Sequence, residues 1–134
     1  MLQFTDHKTK IYTILVVDLD ECYCADVFSD GEIVKRFGEH SSVPNKHKKG
    51  GQSAQRFARI RENEIVHWFK RINEYIKPIR NEIYLGISFV YKKRFLSYLN
   101  TDNQNKIKEI RRNEYSGLTG IYQYINKLEE KLPS

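Results

Sequence analysis

The run Ile11-Tyr12-Thr13-Ile14-Leu15-Val16-Val17 limits the fold most. It is apolar and β-branched without alternation, the pattern of a strand buried in the middle of a sheet. Asp18-Leu19-Asp20-Glu21 then turns the chain, Cys22 to Phe28 reads as a second strand, Ser29-Asp30-Gly31 as a tight turn and Glu32 to Phe37 as a third strand. The opening third is therefore expected to be an antiparallel meander. Gly38 to Val43 leads out of it.

A helix is predicted from Ser53 to about Lys77, with Ala58, Ile65, Trp68, Phe69, Ile72, Tyr75 and Ile76 in steps of three and four that form one packing stripe. Pro78 stops it. Asn81 to Phe89, with Ile83, Tyr84, Leu85 and Ile87 around Gly86, reads as a fourth strand, parallel to the first because a helix separates it from the meander. Tyr91 to Leu99 is a short helix with Phe95, Leu96 and Leu99 inward, and Thr101 to Asn105 a polar loop. Ile107 to Arg112 fits either a helical turn or a strand. A final helix, Leu118 to Leu132, places Leu118, Ile121, Tyr122, Ile125, Leu128 and Leu132 on one face. With 134 residues, the expectation is one α/β domain, 1–134, with a mixed sheet of about five strands.

Charge is distributed unevenly. From Val43 to Arg61 the chain carries Lys46, Lys48, Lys49, Arg56, Arg59 and Arg61 and no acid, against 23 basic and 17 acidic residues in all. The whole positive excess is written into a basic loop, 44–52, and the helix that follows it, 53–77. That is the footprint of an anion-binding site. Helix starts ordinarily collect acids; this one collects arginine, with Ser53 available as a cap, and a phosphate over the helix end would balance it. Gly50-Gly51 frees the backbone for positive φ and for close approach by another molecule.

Two other chemistries have partial matches in the chain. Ile14 to Asp20 mimics the strand-then-Asp-x-Asp start of aspartyl phosphatases and two-metal nucleases, but neither the following Thr nor a second acidic cluster appears, so Asp18 and Asp20 read as an acid-rich turn. Cys22 and Cys24 with one of His7, His40, His47 or His67 make a poor zinc set without a Cys-x-x-Cys, so no metal is assigned. The two cysteines fit a reducing compartment. No apolar run is long enough to span a bilayer, and no signal-peptide pattern opens the chain, so no membrane is expected and the setting read is cytoplasmic.

Gly50-Gly51-Gln52 continued by Ser53-Ala54-Gln55-Arg56-Phe57-Ala58-Arg59-Ile60-Arg61, with Lys46-His47 just upstream, resembles the middle, peptide-releasing domain of the class-1 translation termination factors of eukaryotes and archaea. The extended run is far more specific than GGQ alone. The similarity reaches from Ile11 through Tyr115-Ser116-Gly117, which resembles the family's Ser-Tyr-Thr-Gly or Ser-Tyr-Gly-Gly turn, and into the last helix. Lys48 departs from the glycine that eukaryotic members often carry and is closer to archaeal forms.

The resemblance implies an RNase H-like layered α/β arrangement and favours an edge strand at Ile107 to Arg112. It implies that Gly50, Gly51 and Gln52 enter the ribosomal peptidyl-transferase centre and promote hydrolysis of P-site peptidyl-tRNA. Lys46, His47, Lys48, Lys49, Ser53, Arg56, Arg59 and Arg61 would contact RNA. No cofactor is implied, because the remaining catalytic groups come from RNA. A glutamine methyltransferase acting on Gln52 is a further implied partner. The family's codon-reading and partner-binding domains are not in this stretch, so it reads either as a piece of a full factor or as a stand-alone release or rescue module served by a separate decoding or GTPase partner. The alternative is a noncatalytic ribosome-binding or RNA-binding module of the same fold.

Overall fold

The computed structural model describes residues 9–45 and 52–130. The central run forms β1, Lys10–Val17, and its lack of alternation has a direct cause. Leu15 and Val17 enter one hydrophobic cluster and Ile14 and Val16 another, on opposite faces, so successive residues are buried on both sides. β2, Glu21–Phe28, pairs with it antiparallel, and β3, Ile33–His40, pairs with β2. Asp18 makes the first turn: its Oδ1 accepts from the backbone N–H of Asp20 at 2.7 Å and of Glu21 at 2.9 Å, a side chain standing in for a turn carbonyl. Asp30 does the same for Glu32 at 2.9 Å, beside Gly31 at φ +90°.

The long helix α1, Gln52–Ile76, crosses to β4, Ile83–Ile87, which lies parallel to β1. Next come α2, Phe89–Ser97, α3, Thr101–Lys106, β5, Ile107–Arg112, and α4, Gly117–Glu130. The open sheet has the order β3-β2-β1-β4-β5, and β5 is an edge strand parallel to β4, as the resemblance favours. One face is covered by α1 and α2, through Ile65, Trp68, Phe69, Ile72, Ile76 and Phe95. Ile121, Tyr124 and Leu128 of α4 cover the other. The result is a single α/β domain with a five-stranded mixed sheet between helical layers.

Several expectations need correction. Thr101 to Asn105 is not a loop but most of α3. Asn100 caps it by accepting from the Asn103 N–H at 2.7 Å, and Asn103 is fully buried, its amide donating to Asn73 O at 2.9 Å and Asn73 Oδ1 at 2.7 Å. Lys106 then donates to the carbonyls of Ile76 and Lys77 at 3.2 and 3.1 Å, closing the end of α1. The third strand continues through Gly38 to His40 instead of leaving at Phe37. The fourth ends at Ile87, because Ser88 caps α2, so Phe89 opens that helix. Ala58 is exposed. On α4, Leu118 and Tyr122 are exposed at 42% and 53%, and Tyr124 takes the buried place, its hydroxyl donating to Glu109 at 3.0 Å. Leu132 lies outside the described residues.

Candidate functional site

α1 divides into two halves. Its first buried residue is Ile65, and no residue from Ala54 to Glu64 is buried. At 1.5 Å of rise per residue, about 16 Å of helix, Ala54 to Glu64, therefore runs without a buried side chain before the packing half begins. Gln52 and Ser53 are the first two residues of α1. The helix starts one residue earlier than expected, so its capping position falls before Gln52, outside the described residues, and not on Ser53. Its first turn contains no acid, while Arg56 and Arg59 are exposed. Lys46, His47, Lys48, Lys49, Gly50 and Gly51 lie outside the described residues.

The root of this arm is held at four points. Ser41 N–H donates to Asp20 O at 2.8 Å and its hydroxyl to Leu19 O, which ties the segment leaving β3 to the first hairpin. Val43 packs against the core, and its N–H donates to Ser41 Oγ at 3.1 Å. Arg61, half-buried, donates from Nε to Pro44 O at 3.1 Å, which joins the outgoing segment to the returning helix. Glu62 forms an ion pair with Arg94 of α2. Further down, Trp68 Nε1 donates to Asp18 O at 2.8 Å. Neither the Arg61 contact nor the Glu62–Arg94 brace was anticipated; an arginine and an acid in a charged stretch give no sign in sequence of what they will touch.

The residues of the phosphatase-like and zinc-like patterns sit as follows. Asp18 Oδ1 is occupied by the hairpin turn. Cys22 and Cys24 are unpaired and buried; burial pushes the Cys22 thiol up to about 12 and raises that of Cys24 further, so both keep their protons at neutral pH. Among the described residues no three His, Cys, Asp or Glu side chains are grouped to hold a metal ion. His67 is exposed on α1, with Nδ1 3.9 Å from Glu64. No helix among the described residues is long and apolar enough to cross a membrane.

Beyond the arm, the turn before α4 is closely fitted. Ser116 donates from Oγ to Glu21 Oε2 at 3.2 Å, and Gly117 has φ +61°. A Cβ at Gly120 would lie against the Tyr115 carbonyl and 2.9 Å from Val16 Cγ1, so glycine is what lets α4 approach the sheet.

With that geometry in view, the family model described as eRF1 domain 2 matches residues 11–134. The chain belongs to this family. Among its relatives, the peptide chain release factor subunit 1 of Picrophilus torridus is 31% identical over 136 residues, covering 93% of this chain and 32% of that protein. That of Thermoplasma acidophilum is 31% identical over 145 residues, covering 98% and 34%. The chain thus spans about a third of the length of these eRF1-family relatives. In fold it is similar to the crystal structure of the Thermoplasma acidophilum Pelota protein, with a TM-score of 0.57 at 18% identity over 91% of this chain and 34% of that one. It is also similar to a structure titled "Archaeal protein", with a TM-score of 0.60 at 14% identity, covering 89% and 34%.

Proposed function

We propose that this chain carries the peptide-releasing step of translation termination, with the segment Gly50-Gly51-Gln52 delivered to the ribosomal peptidyl-transferase centre at the end of the arm. The observation that carries the reading is that Gln52 opens a helix in which no residue from Ala54 to Glu64 is buried. Membership of the eRF1 domain 2 family supports it, as do relatives named peptide chain release factor subunit 1.

The chemistry follows from what glutamine can do. A carboxamide has no proton to lose near neutral pH, so Gln52 is not a general base. The first N–H groups of an α-helix lack a carbonyl partner within it, which leaves the N–H of Gln52 for an outside acceptor. We assign it to the oxyanion, or to the leaving 3′ oxygen of the tRNA, while the side chain admits and orients water. Catalysis then rests on placement and preorganised hydrogen bonds, with the remaining groups supplied by RNA. Lys46, His47, Lys48, Lys49, Ser53, Arg56, Arg59 and Arg61 dock the arm through phosphate contacts that position without reading sequence.

In this reading the partners are ribosomal RNA and P-site peptidyl-tRNA, and the compartment is the cytoplasm. The side-chain nitrogen of Gln52 is the substrate for a glutamine methyltransferase. Stop-codon recognition belongs to another domain or to a separate decoding or GTPase partner; without one, the module acts in rescue of stalled ribosomes.

The test is release of labelled peptide from loaded ribosomes, with the chain added in excess. Wild type should release and Gly51→Ala should not, with ribosome binding retained by both. If wild type binds and never releases, the noncatalytic ribosome-binding reading replaces this one.

A further inference from the structure

A second stretch of the chain, residues 83–101, also carries cations without acids: Lys92, Lys93 and Arg94. They lie on α2 and have separate surroundings. Arg94 is taken by Glu62, and the Lys92 ammonium sits 4.9 Å over the Phe89 ring. Lys93 borders a groove of about 510 Å³ between α2 and β5.

Three features of that groove each define a property of what fits it. Its floor is apolar, made by the half-buried Leu96, Ile107 and Ile110. Two isoleucines three apart reach the same side because β5 has one extra residue: Ile83 pairs with Ile107 and Tyr84 with Glu109, leaving Lys108 as a bulge. Its rim is cationic. Lys93 has no ion pair among the described residues, and Lys108 reaches only Glu82, at 3.9 Å with both side chains more than half exposed, a pair worth little in water. Glu109, the one acid lining the groove, is held by Arg111 at 2.6 Å and Tyr124 at 3.0 Å. Finally, β5 ends the sheet, so its outer side pairs with no strand among the described residues.

We propose that this groove binds an extended segment of a partner protein in which apolar and acidic residues alternate, added as a strand on the open edge of β5. An extended peptide turns successive side chains to opposite sides, so one set can cover Leu96, Ile107 and Ile110 on the α2 face, where Lys93 meets an acidic residue at the end of the segment, while the other set meets Lys108 at the edge. Strand addition of this kind draws affinity from the main chain and specificity from the side-chain pockets. A bulge and a lysine are common guards on an exposed edge. Here they reject neutral or basic strands and admit an acidic one. RNA would satisfy the two lysines but gain nothing from the apolar floor.

The probe is a capped heptapeptide alternating glutamate and valine, titrated into the full chain while backbone amide shifts are followed. Saturable binding is expected, with shifts confined to Lys93 to Ser97 and Ile107 to Ile110, and no binding of the lysine-for-glutamate peptide. Lys93→Glu with Lys108→Glu should weaken binding at least about tenfold with the thermal midpoint unchanged. Absence of saturation, shifts centred on β3, or equal binding of the lysine peptide overturns the proposal. A uridine oligonucleotide that moves the same amides at lower concentration overturns it in favour of RNA.

Discussion

Arg61 donates from Nε to the carbonyl of Pro44, a contact of 3.1 Å between residues 17 apart in the chain. The whole basic loop lies between those two points. A closed loop is cheap to lengthen but is aimed by its ends, so this bond, with Ser41 and Val43 fixed beneath it, sets the direction in which the arm leaves the body. Arg61, which the resemblance assigns to RNA contact, thus also has a partner within the fold.

Replacement of Arg61 should therefore behave differently from replacement of Arg56 or Arg59. Arg61→Lys keeps the charge but loses the planar donor. Faster amide exchange at Val43 and along Ala54 to Arg61 is expected, with the salt dependence of ribosome binding unchanged. Arg56→Ala and Arg59→Ala should leave exchange alone and each lower the salt slope by about one. Identical effects at the three positions would remove the latch from the account.

Asn103 should matter more than its place in a polar stretch suggests. Its buried amide bonds both the main chain and the side chain of Asn73, and its oxygen accepts from Lys106 at 3.0 Å. Asn103→Ala leaves buried groups unpaired and should cost about 2–3 kcal/mol, measured by denaturant unfolding; Asn105→Ala, exposed on the same helix, should cost well under about 1 kcal/mol. Equal small effects would show that α3 does not anchor the end of α1.

These cases mark what was legible beforehand. β1 was, because a strand covered on both faces must be apolar throughout. The packing half of α1 was, because Ile65, Trp68, Phe69, Ile72 and Ile76 repeat at helical spacing. α3 was not: Asn and Asp are the residues of loops, and only the Asn73 partner, 30 residues away, makes one of them, Asn103, a buried anchor. On α4, Tyr122 and Tyr124 both fit a helical stripe with Ile121, Ile125 and Leu128. The choice is made by Glu109, which takes the Tyr124 hydroxyl, and that depends on the strand order. At the site, the charge imbalance was visible in composition. The contacts that root the arm join residues whose proximity exists only once β3, α1 and α2 are assembled.

Asp26 gives the fold an acid-sensitive point. Burial alone would raise its carboxyl, but hydrogen bonds from Arg36 at 2.9 Å and Thr13 at 2.7 Å, together with Lys10 at 3.2 Å, outweigh burial and hold it below the usual carboxylate range. A carboxyl depressed on folding contributes stability that is complete above its unfolded pKa of about 3.9 and drains away as pH falls through the lower folded value. Asp26→Asn should lose about 1–3 kcal/mol at pH 7 and flatten the acid limb of the stability curve. An unchanged acid limb would contradict this.

The cysteines give the opposite, alkaline dependence. Burial raises both thiols, Cys22 to about 12, so above about pH 8.5 the unfolded chain loses thiol protons that the native state keeps. Stability should fall as pH rises past that point, and Cys22→Ala/Cys24→Ala should remove the extra slope. Neither thiol should react with a disulfide reagent at pH 8 until the chain unfolds; rapid native-state labelling would mean that the sheet face beneath α1 opens.

The most direct measurement of the central claim is the single-turnover rate of peptidyl-tRNA hydrolysis on ribosomes saturated with the chain, for wild type and Gln52→Ala, with occupancy measured in the same samples. The account predicts equal occupancy and a rate for Gln52→Ala lower by at least about a hundredfold, the loss typical of removing one preorganised transition-state contact. Equal rates at equal occupancy would contradict it, because the residue at the head of α1 would then contribute nothing to the step for which the arm is proposed to exist.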